Sequence, residues 1–299
     1  MLQILQPSDL SQEITSLYQS GLPAGTRTGW DSVDRLYTVS PGKFTVITGI
    51  PSHGKSTWVD NLVLNLLKQG WKAIIYSPEQ QPPELHLAEL AEKWLNRPFR
   101  YGYNGRMDSG GLAACVDALE PSLRLLRHDG GSAMPCLQDF QNAVDEISFG
   151  DWEKEKIVAV LDPWNELDHS QHTRLTETEM INDRLIRFKM WLRSHQRVHG
   201  IIVAHPSKPQ KDKNGDYKDV TLYDISGSAA WKNKCDHGIV VRRRDDNVVE
   251  IDVEKNKFRH LGKQGIAHLD FYPGTGVYRD QENRIRGARR LPEDANSDS

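Results

Sequence analysis

The stretch Phe44 to Thr57, FTVITGIPSHGKST, constrains this chain more than any other. Its first five residues are all β-branched or aromatic and read as a buried strand that ends at Gly49. From there the spacing G-x-x-x-x-G-K-[ST] is met at Gly49, Gly54, Lys55 and Ser56. Trp58, Leu62, Leu66 and Leu67 follow at helical spacing, so the loop lies between a strand and a helix, as a phosphate-binding loop requires. The glycines let successive backbone N–H groups turn inward on a polyphosphate, and the helix N-terminus adds partial positive charge. Lys55 is expected to reach the β and γ phosphates and the Ser56 hydroxyl to ligate Mg²⁺. Ser52, His53 and Thr57 line the same loop. ATP or another nucleoside triphosphate, with Mg²⁺, is the expected cofactor.

Further apolar runs at Lys72–Tyr76, Leu123–Arg127, Lys156–Leu161 and Gly200–Ala204 alternate with helix-like segments, among them Glu177–His199. This alternation predicts an α/β fold with a mostly parallel central sheet flanked by helices. Short β runs at Gly238–Val241, Val248–Val253, Gly265–Tyr272 and Gly276–Arg279, with turn residues between them, predict an antiparallel extension at the C-terminal end. Residues 1–28 are expected to be a lead-in with one short amphipathic helix (Leu10, Ile14, Leu17, Tyr18), packed either on its own domain or on a neighbouring subunit. Residues 29–280 would form the ATPase domain, and the charged, apolar-poor tail 281–299 has the composition of a disordered segment.

Ligands of parallel sheets sit at the carboxyl ends of the strands. Glu79, just past the second strand, is therefore placed either to polarise an attacking water or to cap the next helix. Asp162 ends the continuous apolar strand Lys156–Leu161, expected beside the P-loop strand, and is favoured as a Mg²⁺ partner. His205 ends the strand Gly200–Ala204 and is either a γ-phosphate sensor or a histidine without duty. The following loop carries Lys208, Lys211, Lys213 and Lys218, but Asp212, Asp216 and Asp219 offset most of that charge. Taken alone, it reads as solvated surface. The glycine-rich loop Arg100–Gly111 has no assigned role.

A formal net charge of −3 gives no global basic signature, so any nucleic-acid contact must be local. Three widely spaced cysteines support neither a disulfide framework nor a zinc ribbon. No apolar run approaches the ~20 residues of a membrane span, and the N-terminus lacks a signal-peptide layout. A soluble cytoplasmic protein, in a bacterium or a phage-infected cell, is expected.

The stretches TGWDSVDRLY, VITGIPSHGKST, IIYSPEQ, VLDPWNEL with TETEMI, VAHPSK, LYDISGSAAWKNKCDHGIVV and KFRHLGKQGIA occur here in that order. Together they resemble the helicase domain of the DnaB-type hexameric replicative helicases, and within them the phage primase-helicases and the mitochondrial Twinkle group. The resemblance runs from about Thr28 to Arg279 and implies a RecA-like P-loop core. It implies an ATP-dependent DNA helicase of 5′-to-3′ type, a ring of six around single-stranded DNA, working with a primase and a DNA polymerase. Residue by residue, it implies that Lys55 and Ser56 serve the phosphates and the metal, Glu79 is the catalytic glutamate, Asp162 the Walker B aspartate and His205 the sensor. Arg259 would be an arginine finger entering a neighbour's site, accompanied by Lys257, and Arg243 and Tyr272 would sandwich the base. Lys208, Lys211 and Lys213 would lie on the DNA-gripping loop, which reverses what the charge of that loop suggests by itself. The zinc-binding and polymerising parts of a primase do not occur within these 299 residues, which are expected to be either a stand-alone helicase or the helicase piece of a longer chain, and no primase activity is expected of them. A RecA-like recombinase and a non-translocating P-loop ATPase are the alternatives.

Overall fold

The computed structural model describes residues 3–128, 130, 131, 133–170, 175–207, 213, 217–227, 229–244 and 247–281. Nine strands form one sheet: β1 (Phe44–Thr48), β2 (Lys72–Tyr76), β3 (Leu123–Leu126), β4 (Ile157–Leu161), β5 (Val198–Val203), β6 (His237–Arg243), β7 (Val248–Asn256), β8 (Gly265–Tyr272) and β9 (Val277–Asp280). Their order is β3-β2-β4-β5-β1-β6-β7-β8-β9. The six strands from β3 to β6 run parallel and the last three antiparallel, as the turn chemistry after residue 237 predicts. β1 and β4 are buried at every residue, which is why they read as unbroken apolar runs instead of alternating ones.

The helices are α1 (Ser11–Ser20), α2 (Asp31–Asp34), α3 (Lys55–Leu67), α4 (Pro83–Leu95), α5 (Ser109–Leu119), α6 (Leu137–Phe149), α7 (Glu177–Ser194) and α8 (Ala230–Lys234). Two apolar layers cover the sheet. One is built on α3, α4 and α5, with Trp58, Leu62, Leu90 and Leu119 fully enclosed, and the other on α6, α7 and α8, with Phe140, Phe188 and Trp231. Both faces of the parallel strands are thus dry, leaving only the strand ends for polar chemistry.

Two expectations are corrected. Asp162 does end an interior strand, but β5 lies between β4 and β1. The helix α3 carries the chain from β1 past β5 and β4 to pack on β2, and Ser56 at its first turn reaches Asp162 across the intervening strand. The long helix stops at Ser194, because Val198 and His199 are drawn into β5 beside β4. Near the end of the lead-in, Thr26 bridges Val39 and Thr28 is fully buried.

α1 has no buried residue, with Ile14 61% and Tyr18 90% exposed, so it does not pack on its own domain. The last described strand closes on α2, where the Asp31 and Ser32 amides donate to the Asp280 carboxylate at 2.6 and 3.2 Å. The tail 282–299 lies outside the described residues.

Candidate nucleotide site

The loop between β1 and α3 adopts conformations that only particular residues tolerate. Gly54 sits at φ 87° as the N-cap of α3, where a Cβ would run into the Tyr278 hydroxyl, and a Cβ on Gly49 would meet the Val241 carbonyl. Lys55 is 6% exposed, and its Nζ donates to the carbonyls of Gly49 at 3.0 Å and Ile50 at 3.1 Å. Burial lowers its pKa, against the opposite pull of Asp162 and Glu79. An ammonium folded into a ring of backbone dipoles at a helix N-terminus is a phosphate-binding arrangement.

Asp162 is 3% exposed and hydrogen-bonds the Ser56 hydroxyl. Burial pushes its carboxyl up to about 7, with Asp60 and Glu79 adding to the effect and Ser56 and Lys55 opposing it. Excess carboxylate in a dry place is a demand for a cation. One hydroxyl and one carboxylate fit Mg²⁺, which keeps several waters and takes its remaining ligands from phosphate, whereas no cluster of three or more acidic, His or Cys side chains suited to a metal occurs among the described residues.

Glu79 and His205 meet at the rim, with His205 Nε2 3.8 Å from Glu79 Oε1. The His205 amide donates to Asn165 Oδ1 at 2.9 Å, and Asn165 comes from the short helical turn Trp164–Glu166 that follows Asp162. Burial lowers the His205 pKa, helped by Lys55 and opposed by Glu79 and Glu166. Five residues from four strand ends, Lys55, Ser56, Glu79, Asp162 and His205, therefore share one edge of the sheet. Thr48 ties two of those ends together by donating to the Ala204 carbonyl at 2.7 Å.

Other singled-out residues are placed differently. The Arg243 amide donates to His53 Nδ1 at 3.2 Å, and its guanidinium lies 4.9 Å from the ring centre of Phe271. The aromatic beside Arg243 is thus Phe271 and not Tyr272, which is 43% exposed and carries Arg279 over its ring at 4.9 Å. Lys257 and Arg259 sit at the opposite edge. The Lys257 amide donates to the Asp236 carbonyl, and Lys43 lies 4.3 Å from the Phe258 ring centre, both at the start of β1 and β6. The length of β1 alone, about 13 Å, separates that edge from the phosphate loop of the same chain. Lys213 is exposed, whereas Lys208 and Lys211 lie outside the described residues.

A Twinkle homolog, chloroplastic/mitochondrial, of Arabidopsis thaliana is 36% identical over 291 residues, covering 91% of this chain. A solved DnaB-like replicative helicase, whose interactions with primase that structure describes, superposes with TM-score 0.76 at 16% identity, covering 93% of this chain and 69% of the other. In fold the chain is similar to that helicase. It spans 39% of the length of the Arabidopsis relative. A further solved ATPase domain aligns over its whole length with TM-score 0.76 at 15% identity, and a RadB recombinase follows at 0.54, 14% identity, covering 86% of this chain and 99% of its own. These likenesses show a RecA-like core. No protein-family model matches it.

Sequence inspection passes over Asn165, Phe271 and Tyr278. Asn165 stands in the VLDPWNEL stretch and could have been noticed there. Phe271 and Tyr278 carry no local signal, because they reach the loop only through strand pairing at the far end of the chain.

Proposed function

We propose that this chain is the motor of a replicative DNA helicase, binding ATP with Mg²⁺ and coupling its hydrolysis to movement along single-stranded DNA as a ring, most simply of six copies. One observation carries this: Arg259 stands at the opposite sheet edge from Lys55 of its own chain, so an Arg259 that touches nucleotide must touch another copy's. The exposed apolar face of α1 supports assembly as well, since it finds no partner surface in its own body.

In the proposed mechanism the backbone of Gly49–Gly54 and the Lys55 ammonium hold the phosphates, with Ser52, His53 and Thr57 lining the loop. Mg²⁺, held by Ser56 and through Asp162, would supply charge neutralisation at the β and γ phosphates. Glu79 orients and deprotonates the attacking water. His205, whose position is set by Asn165 through the backbone, reports the γ phosphate to the segment that follows β5 and holds Lys208, Lys211 and Lys213. Arg259, with Lys257 beside it, enters from the neighbouring copy. Arg243 and Tyr272 remain candidates for the base site. A primase and a DNA polymerase are the proposed working partners, in the cytosol of a bacterial or phage-infected cell.

The test is steady-state ATP hydrolysis with Mg²⁺, with and without circular single-stranded DNA, over a range of protein concentration. Strong stimulation by DNA and a cooperative rise with concentration are expected. A rate indifferent to both would refute the ring translocase and leave a simple P-loop ATPase.

A further inference from the structure

The segment between α4 and α5, Arg97–Pro–Phe–Arg–Tyr–Gly–Tyr–Asn–Gly–Arg–Met–Asp108, interleaves aromatic and cationic side chains. Phe99 and Met107 turn inward onto the apolar layer of α3 to α5, and the Met107 amide donates to the Pro98 carbonyl at 3.0 Å, closing the base of the loop. Between them Tyr101 is 90% and Tyr103 53% exposed. The Arg106 guanidinium lies 5.5 Å from the Tyr101 ring centre, while its Nε donates to the Phe99 carbonyl at 2.8 Å and holds the arm across the loop. Gly102 at φ 85° and Gly105 at φ 73° turn the chain outward, with open space where a Cβ would be, so their conformation and not crowding calls for glycine.

The charge is unbalanced in one direction. Within the segment three arginines, Arg97, Arg100 and Arg106, stand against one acid, Asp108, which is engaged as the N-cap of α5, accepting from the Gly111 amide at 2.8 Å, and the Glu92 carboxylate at the base of the loop is taken up by the Phe99 amide at 2.7 Å. Flat rings with guanidinium groups beside them suit a ligand that has both π-faces and phosphates. This is the composition of a stacking platform for unpaired bases, and it needs no base-edge reading.

We infer that this loop is a second contact for single-stranded nucleic acid, with bases stacked on Tyr101 and Tyr103 and phosphates held by Arg100 and Arg106. It is separate from the lysine segment after β5. That segment returns to the fold through Val220 and Leu222, which belong to the apolar layer of α6 to α8, whereas Phe99 and Met107 belong to the layer on the other face of the sheet. One chain would therefore offer two contacts on opposite faces. The inference rests on the proposed action on single-stranded DNA, and the test separates the two.

The probe is a fluorescent oligothymidylate titrated with the chain and followed by anisotropy. Three variants are compared with the parent: Tyr101→Ala with Tyr103→Ala, Tyr101→Phe with Tyr103→Phe, and Lys213→Ala. Loss of both rings is expected to weaken binding about tenfold or more, whereas the phenylalanine pair keeps parental affinity because it keeps the π-faces. Photocrosslinking from an iodouracil-substituted strand is expected to label Tyr101 or Tyr103. Parental affinity in the alanine pair, or failure of the phenylalanine pair to retain it, overturns the inference, and retained affinity would reassign the loop to a protein partner. If Lys213→Ala loses affinity while the tyrosine variants keep it, only this inference falls. If the parent itself binds no oligonucleotide, the proposed function falls with it.

Discussion

The Tyr278 hydroxyl donates to the Gly54 carbonyl at 3.2 Å, joining the last strand of the sheet to the turn that opens the P-loop helix. Tyr278 is held in turn by Trp30, whose Nε1 donates to its carbonyl at 3.0 Å, and its ring lies 5.0 Å from Phe271, on which Arg243 rests. The phosphate loop is thus buttressed from behind by a hairpin more than 200 residues away in the chain.

Removing that hydroxyl tests the buttress. Tyr278→Phe keeps the packed ring and loses one hydrogen bond, so unfolding free energy should fall by only about 1 kcal/mol. Nucleotide affinity should fall severalfold, because the Gly54 peptide gains freedom to turn. Equilibrium titration with a fluorescent ATP analogue, beside urea unfolding, separates the two effects. An unchanged affinity would mean that the loop holds its shape without Tyr278.

Arg259→Ala should lower ATP turnover on the order of 10³-fold while leaving nucleotide affinity near the parental value, because in the proposed role the side chain would act on charge that develops in the transition state. Lys55→Ala chains should also be inactive while keeping an intact Arg259. Mixing the two variants should restore measurable hydrolysis if the arginine works across copies. No recovery on mixing would place Arg259 outside the reaction.

Asp60, His86 and Lys93 form a dry ionic group between α3 and α4, with Asp60 Oδ1 3.0 Å from His86 Nε2 and Asp60 Oδ2 3.1 Å from Lys93 Nζ, every side chain 3% exposed. Burial raises the Asp60 pKa, but Lys93 and His86 outweigh it and hold the carboxyl below its ordinary value. Lys93→Met leaves that carboxylate half-paired in a dry site and should cost about 3 kcal/mol of stability, measured by urea denaturation. A loss within the error of the parent would show that water reaches Asp60.

Two buried histidines make acid sensitivity part of the fold. Burial lowers His237 to about 3 and His199 to about 4. The Ser40 carbonyl, 2.7 Å from His199 Nδ1, can only accept, so that nitrogen carries the proton and the single lone pair of Nε2 is left to accept from the Thr45 or the Tyr37 hydroxyl, which also bond each other at 2.8 Å. His237 has no hydrogen-bond partner for either ring nitrogen and lies among Tyr37, Phe258 and His199, with Lys43, Lys189 and Lys255 adding positive charge. Both folded-state values lie below the unfolded one near 6.5, so the unfolded chain binds the extra protons and stability falls as pH drops from about 6.5 toward 4. His237→Leu should flatten that fall, which urea midpoints across this range would report.

The fate of each expectation follows how far its cause reaches along the chain. The P-loop was legible because its glycines, lysine and serine are neighbours and the flanking strand and helix carry their own periodicity. Asp162 was legible as the end of a buried strand, but not its neighbour, since apolar runs do not encode the order in which parallel strands pair. Asp60 and Lys93 look in sequence like ordinary charges on helix faces, and only the crossing of α4 over α3 makes them partners. The two roles open for α1 were narrowed by exposure, which no periodicity reveals.

What the sequence determined by itself was therefore the local chemistry: a phosphate loop between strand and helix, acids and a histidine at strand ends, and a ladder of short strands at the C-terminus. The tertiary structure alone decided that Ser56 meets Asp162 across an intervening strand, that Arg243 rests on Phe271, that Tyr278 braces Gly54, and that the Arg259 turn lies at the sheet edge opposite Lys55. The physical reason is that backbone propensity and hydrophobic period act over a few residues. Contacts between strand ends and across sheet faces depend instead on topology, which the chain settles only by burying both faces of one sheet at once.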